Sequence, residues 1–223
     1  MAWRQPDRVR GQQLEEALAA RLYGAPWSHE PVLASLDAEE LAETARSVRQ
    51  MVLGRSHRGT GGLAQWCPKT LTAWRESHLG DDSLDELGRR FCASAACSAW
   101  RELPAGEPGI SLEEAFHRFF TDEAIGDRAT RDDELLGAVV RALAVTPTAR
   151  FVWPGAVRRA PGGCFVVIDG RLLHAAIDGQ YLHGEVTALI AELLSGEPLD
   201  VALERCGPEA VQIHRSLRSM RLL

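Results

Sequence analysis

Histidine and cysteine, the side chains most often used to bind metals, are scattered along this sequence. Seven histidines are present: His29, His57, His78, His117, His174, His183 and His214. No two of them have the i, i+4 spacing of a helical metal pair, and there is no HExxH motif. Cys92 and Cys97 lie five residues apart, a rotation of about 500° on a helix, so they face apart unless the helix breaks near Ser94. We therefore expect structural or surface histidines, buried thiols and no metal ligand in this chain.

Other catalytic patterns are also missing from the sequence. No GxSxG nucleophile elbow is present. The acidic cluster Asp132-Asp133-Glu134 stands near a helix start, where carboxylates compensate the helix dipole. The segment Gly54–Gly62 reads GRSHRGTGG, but it lacks the preceding strand and the Gly-Lys-Ser/Thr of a phosphate loop, so it is interpreted as a connector. The sequence predicts no catalytic residue, and a stand-alone enzyme is the least favoured hypothesis for this chain.

Composition describes an ordinary globular chain. The 223 residues are 45% hydrophobic and 25% charged, with a formal net charge of −6. No uncharged stretch exceeds about ten residues, half of what a membrane-spanning helix needs. The first residues lack the apolar core of a secretory signal, so we expect a cytoplasmic protein with reduced thiols and no membrane association.

The first part of the chain has the period of a helical bundle. Leu14, Leu18 and Leu22 repeat at four residues, and Ser111 with Glu114 has the pattern of a capping box before a wide apolar face. The helical period ends before Pro147. We therefore predict an all-helical domain over residues 1–147.

The period then changes to that of strands. Cys164–Ile168 is a continuous apolar run, Asp169-Gly170 is a hairpin signal, and Leu172–Ile177 returns as the partner strand. With a short strand near Val157, this predicts a three-stranded sheet. Three helices are expected to follow, with Gly196 as a helix stop. The predicted fold class is α+β, an N-terminal all-helical bundle followed by a winged-helix-like βββααα domain over residues 148–223.

Three stretches of the C-terminal part occur in a distinctive order: AVRR at 156–159, PGGCFVV at 161–167 and LIAELLSG at 189–196. With the tail Leu222-Leu223, this order resembles the PqqD-like recognition elements of RiPP biosynthesis, the pathways that modify ribosomally made peptides. The resemblance covers about 75 residues and implies a winged-helix-like module. It also implies that the leader part of a precursor peptide binds as an added β-strand.

The resemblance also implies where the peptide would bind. The open edge would be the third strand, and the last helix would form the wall of the groove. The implied contact residues are Leu172, Leu173, His174, Ala175, Ala176 and Ile177 on the strand, and Val211, His214, Arg215 and Arg218 on the helix. The alternative is a plain strand covered by its own chain.

The helical part carries a second resemblance. The segments LGRRFCASAACSAW at 87–100 and GISLEEAF at 109–116 resemble the partner subunits of multinuclear non-haem iron oxidases, such as those of methanobactin and 3-thiaglutamate biosynthesis. This implies a non-catalytic subunit that presents a cysteine-bearing peptide to a TIM-barrel oxidase, which holds the iron. It also implies that the helical domain over residues 1–147 docks this partner. Because tryptophan is enriched at interfaces, Trp66 and Trp74 are candidates for contact with that larger partner, the alternative being core filling.

The charge distribution argues against the competing reading, a winged-helix DNA-binding regulator. Residues 148–223 contain eight arginines, no lysine and eight Asp or Glu, a balance of zero. The first 147 residues contain the remaining 17 of 25 basic and 23 of 31 acidic residues. A DNA-reading domain normally shows a basic stripe, so we expect a peptide partner and no nucleic acid.

Overall fold

The computed structural model describes residues 38–54, 60–78, 83–101, 110–152 and 157–223. In these ranges seven helices precede the sheet. They are α1 (Ala38–Gly54), α2 (Leu63–Trp66), α3 (Pro68–Ser77), α4 (Ser83–Cys92), α5 (Ala95–Arg101), α6 (Leu112–Asp122) and α7 (Arg128–Val145). The predicted helix through Leu14, Leu18 and Leu22 lies outside the described residues, as do residues 55–59 of the glycine-rich connector.

Local hydrogen bonds explain where several helices begin. The predicted capping box at α6 is confirmed, because the Ser111 hydroxyl accepts from the Glu114 N–H at 3.1 Å and Glu114 Oε2 accepts from the Ser111 N–H at 2.7 Å. The apolar face that follows enters an aromatic core, where Phe116 stacks on Phe91 with ring centroids 3.8 Å apart. Helices α4 and α6 are thereby fixed against each other.

The sheet has four antiparallel strands, one more than predicted. They are β1 (Arg158–Ala160), β2 (Gly163–Ile168), β3 (Leu172–Ile177) and β4 (Gln180–Glu185), in the order β1-β2-β3-β4. The strand that was not predicted, β4, follows a second Asp-Gly pair, Asp178-Gly179. Both of its residues have positive φ, 49° and 80°, as a tight hairpin turn requires.

Three helices follow the sheet, as predicted: α8 (Ala188–Ser195), α9 (Leu199–Cys206) and α10 (Pro208–Ser219). The helix stop at Gly196 is confirmed, because this glycine caps α8 with φ of 98°. The α+β class and the helical part are confirmed within the described residues, the count βββααα is corrected to ββββααα, and the winged-helix arrangement stays a prediction.

Helices cover both faces of the sheet. On one face Phe165, Leu173, Ala175 and Ile177 form a core with α8, α9 and α10. On the other face α7 packs on β2 and β3, and its residues Leu136 and Val140 join Cys164, Val166 and Ala176 in a second, smaller core. The predicted boundary between residues 147 and 148 falls just after α7. The last helix before that boundary is therefore part of the sheet's packing.

The proposed interface role of two tryptophans is corrected by their burial. Trp66 is 3% and Trp74 is 0% exposed, inside the core of the helical part. Trp74 also stacks on His78 and donates its indole N–H to the Ser83 carbonyl at 2.9 Å. Both therefore fill the core and are unavailable to a partner in this conformation. None of the described helices combines the length and apolar character needed to cross a bilayer.

Candidate functional site

Helix α7 lies across the face of the sheet that carries the alternate side chains of β3 and β4. In the register of the two strands His174 pairs with His183, and Ala176 pairs with Tyr181. Directly paired residues project on the same face of a sheet. The helix contributes Asp133, which stands above this pair of histidines. Three elements thus bring a carboxylate and two imidazoles together.

The three polar side chains are close enough to share a ligand or a proton. Asp133 Oδ1 lies 3.1 Å from His174 Nε2 and 3.1 Å from His183 Nε2. The two imidazole centroids are 4.4 Å apart. His174 is fully buried, whereas the Asp133 and His183 side chains are 25% and 35% exposed. The cluster therefore has one buried side and one side open to solvent.

Tyr181 fixes the second nitrogen of the buried histidine. Its hydroxyl lies 2.8 Å from His174 Nδ1, and the Arg141 guanidinium carbon lies 4.9 Å from the centre of its ring. A Cβ atom at Gly137 on α7 would come within 2.4 Å of the Tyr181 hydroxyl oxygen. The absence of a side chain at Gly137 therefore makes the hydrogen bond between Tyr181 and His174 possible.

Burial sets the protonation of this pair. Removal from water lowers the pKa of His174 to about 4, although the nearby Asp133 carboxylate acts in the opposite direction. Burial likewise raises the pKa of Tyr181 to about 12, against the effect of the Arg141 charge. At neutral pH the site therefore contains an uncharged imidazole and an uncharged phenol.

The Nε2 atom of His174 is unusual within this site. It is buried and makes no hydrogen bond of acceptable geometry among the described residues, despite its 3.1 Å distance from Asp133 Oδ1. The distance is short enough, but a proton on the ring nitrogen would make too bent an N–H···O angle with this oxygen for a hydrogen bond. The lone pair of an unprotonated Nε2 would have the same direction as that N–H bond and would lie beside the carboxylate oxygen. Two acceptors at this distance repel unless a proton or a cation lies between them.

The predicted peptide-binding strand is not an edge. Strand β3 (Leu172–Ile177) pairs with β2 on one side and with β4 on the other, so Ala175 is opposite both Phe165 and Leu182. Its backbone groups are therefore used within the sheet, and strand addition at β3 is a wrong prediction. On α10, Val211 and His214 are half-buried, whereas Arg215 and Arg218 are exposed.

The longer open edge is β4. Within the described residues β4 pairs only with β3, and the opposite edge, β1, has three residues. The Val186 N–H donates to the Arg171 carbonyl at 2.7 Å, which identifies this pair as hydrogen-bonded. Hydrogen-bonded and non-bonded pairs alternate along an antiparallel ladder. The N–H and C=O groups of Tyr181, His183 and Glu185 therefore point away from β3.

Four of the five cysteines are buried, as predicted for the thiols, and Cys206 is half-buried. All five lie in the described residues, and none is in a disulfide. Burial, and then the Glu134 carboxylate, raise the pKa of Cys67 well above its usual value. Cys164 donates its thiol hydrogen to the Val140 carbonyl at 3.1 Å, and burial raises its pKa. A thiolate nucleophile is therefore disfavoured at both positions. The chain does break between Cys92 and Cys97, where α4 ends and α5 begins.

The cluster of Asp133, His174 and His183 was not predicted from the sequence, because its residues have none of the spacings that place metal ligands on one helix. A usable signal was present for two of the residues. His174 precedes Asp178 by four residues and His183 follows Gly179 by four, so a two-residue hairpin turn places them directly opposite. No comparable signal identifies Asp133, which is 50 residues before His183.

Comparison of the chain with protein-family models, with curated proteins and with solved structures finds no match.

Proposed function

We propose that this chain is a peptide-binding subunit in RiPP biosynthesis, which captures the leader part of a precursor peptide as an added strand. The observation that best supports this proposal is the six-residue edge strand β4, which pairs on one side only within the described residues. Strand addition derives affinity from main-chain hydrogen bonds and specificity from alternate side chains. The proposed binding edge is therefore β4, one strand away from the strand β3 that the sequence suggested.

The backbone of β4 supports this assignment. The outward N–H and C=O groups of Tyr181, His183 and Glu185 offer three donors and three acceptors along one edge. An extended guest strand can pair with alternate residues of an edge in this way. The exposed edge is hydrophilic in character, because Gln180 and Glu185 at its ends are polar and exposed. Such an edge resists pairing with other copies while remaining open to a specific peptide.

The opposite edge is less suitable for a peptide. Strand β1 has three residues, and its arginines are anchored to the ends of neighbouring helices. Arg158 Nη1 donates to the Ser195 carbonyl at 2.6 Å, and Arg159 donates to the Leu143 and Pro147 carbonyls at 2.9 Å each. A guest strand would have to pass these side chains. We therefore place the peptide at β4.

The exposed surface of α10 supports an acidic leader. Arg215 and Arg218 are exposed and form no ion pair within the described part of the chain. Guanidinium groups bind carboxylates through paired, charge-assisted hydrogen bonds. In this proposal the chain presents the bound peptide, with a cysteine in its core, to a TIM-barrel partner that holds the iron. The chain itself is the non-catalytic subunit.

A proline substitution at the edge tests the proposal. Glu185→Pro removes one outward N–H but leaves the β3–β4 ladder intact, because the amide of Glu185 is not used in the ladder. Loss of one hydrogen bond of about 1–1.5 kcal/mol predicts roughly tenfold weaker binding of the leader segment encoded beside this gene. Glu185→Ala is the matched control, because it retains the N–H and should bind within about twofold of the parent.

Hydrogen exchange in the presence of the same leader peptide adds a second measurement. The amides of residues 181, 183 and 185 should exchange fast in the free protein and slowly in the complex. Equal affinity of Glu185→Pro and the parent, with fast exchange of these amides in the complex, would overturn the proposal. Tight binding of duplex DNA that weakens steeply with salt would favour the regulator instead. Co-purification with a co-expressed iron-containing TIM-barrel protein is expected.

A further inference from the structure

We propose that Asp133, His174 and His183 bind one divalent first-row transition-metal ion. This inference is independent of peptide binding, because it concerns the face of the sheet under α7 and not the backbone edge. It departs from the expectation, based on spacing along the chain, that no metal ligand is present. Each residue offers one ligand atom, and these atoms all lie within 4.8 Å of one another.

The distances suit a shared ion. Nitrogen and oxygen ligands lie about 2.0–2.2 Å from zinc, so neighbouring ligand atoms are roughly 3.0–3.5 Å apart in octahedral or tetrahedral sites. Asp133 Oδ1 is 3.1 Å from each histidine Nε2 atom. Both histidines therefore present the same type of nitrogen to one carboxylate oxygen.

The buried nitrogen provides an independent reason. His174 is fully buried, and its Nε2 atom, 3.1 Å from Asp133 Oδ1, has no hydrogen-bond partner among the described residues. An unsatisfied polar atom of this kind is rare in a native core. A cation beside Nε2 and Asp133 would satisfy the lone pair and remove the repulsion between the two acceptors.

The surroundings resemble a metal site's outer shell. Histidine ligands usually have their second nitrogen hydrogen-bonded, which fixes the orientation of the ring. Tyr181 performs this role, with its hydroxyl 2.8 Å from His174 Nδ1. The glycine at position 137 leaves the room that the phenol needs. Tyr181 on β4 therefore orients a ligand, and Gly137 on α7 leaves the space that this hydrogen bond needs.

The donor set and its exposure indicate the kind of ion. Two imidazoles and one carboxylate suit zinc, cobalt, nickel or ferrous iron, whereas magnesium and calcium prefer oxygen ligands alone. The partial exposure of His183 and Asp133 leaves room for water to complete the coordination. Because the ligands come from α7, β3 and β4, the ion would fasten the helix to the sheet.

Titration of the tag-free, full chain with Co²⁺ and Zn²⁺ after treatment with a chelator tests the site. We expect one equivalent of Co²⁺ to bind, with visible absorption bands of nitrogen coordination, and Zn²⁺ to displace it. His183→Ala should weaken binding by more than ~100-fold, beyond the 10–100-fold effect typical of an outer-shell residue. Tyr181→Phe should fall within that 10–100-fold range. His214→Ala is the matched control, because His214 lies on α10 and should leave binding unchanged.

Two results would overturn the inference. One is a parent protein that binds neither ion at millimolar concentration. The other is one-to-one binding that is undiminished in both His183→Ala and Asp133→Asn. Circular dichroism and thermal unfolding in chelator establish that each variant is folded, and His183 is partly exposed, so its removal should be tolerated. Zinc should raise the melting temperature of the parent and of His214→Ala but not that of His183→Ala.

Discussion

The carboxylate of Glu134 on α7 caps the first turn of a different helix, α3. Its Oε1 atom accepts from the Lys69 N–H at 2.7 Å, and its Oε2 atom accepts from the Thr70 N–H at 3.1 Å and the Thr70 hydroxyl at 2.6 Å. The residue at the N-cap of α3, Cys67, supplies no side-chain hydrogen bond of its own. This bridge holds α7 in place, and with it the neighbouring Asp133.

Glu134→Ala should destabilise the protein by about 3 kcal/mol. Loss of a helix cap costs about 1 kcal/mol, and a buried donor left without a partner costs about 1–3 kcal/mol. Thr70 is buried, so its N–H and hydroxyl cannot turn to water, whereas the Lys69 amide is only partly buried. Glu134→Gln keeps one acceptor oxygen and should cost less than half as much. Thr70→Val removes the hydroxyl alone and should cost about 1 kcal/mol.

Urea unfolding followed by tryptophan fluorescence measures these differences. The buried Trp66 and Trp74 lie in the same helical core and should report its loss. The slope of unfolding free energy against urea should be unchanged, so that the midpoint alone shifts. Glu43→Ala, on the exposed face of α1, is the control and should stay within ~0.5 kcal/mol of the parent. Equal stability of Glu134→Ala and Glu43→Ala would refute the capping argument.

Two further predictions concern the site under α7. Gly137→Ala should lower the free energy of unfolding by about 1 kcal/mol. Alanine gains about 1 kcal/mol over glycine in helix propensity, but displacing the Tyr181 hydroxyl from His174 costs more than this gain. In a Tyr181→Ala background, Gly137→Ala should instead raise the free energy of unfolding. Chemical denaturation that shows no reversal in the sign of this effect would contradict the prediction. In chelator, stability should fall by roughly 3 kcal/mol as the pH drops from about 6.5 to about 4. Unfolded His174 binds a proton in this pH range, whereas folded His174, beside Asp133 and His183, does not. If stability depended on pH in the same way in His174→Gln, this assignment would be contradicted.

Features set by neighbouring residues were predictable from the sequence. The capping box at Ser111, the helix stop at Gly196 and the hairpin at Asp169-Gly170 depend on hydrogen bonds and φ angles within a few residues. Strand β2 was predicted because its apolar run is buried on both faces.

Strand β4 was missed although an equivalent local signal was present. Its residues Gln180–Glu185 are mostly polar and exposed, since they lie at an edge, so they lack the apolar run of a central strand. Only pairing with β3 makes them a strand. The same reason explains why β3 was wrongly predicted to be the edge strand. A strand lies at an edge when no neighbouring strand pairs with it, and the residues Leu172–Ile177 themselves carry no signal for this.

The sequence alone determined the α+β class, the change from helices to a meander and the three closing helices, because hydrophobic period and turn chemistry are local. The tertiary structure decided the rest. It placed β4 at the edge and buried Trp66 and Trp74. It also brought Asp133 to 3.1 Å from His174 and His183, which follow it in the sequence by at least 40 residues. Such contacts depend on how α7 crosses the sheet. That geometry follows from the packing of Leu136 and Val140 against side chains of β2 and β3, and no spacing in the sequence predicts it.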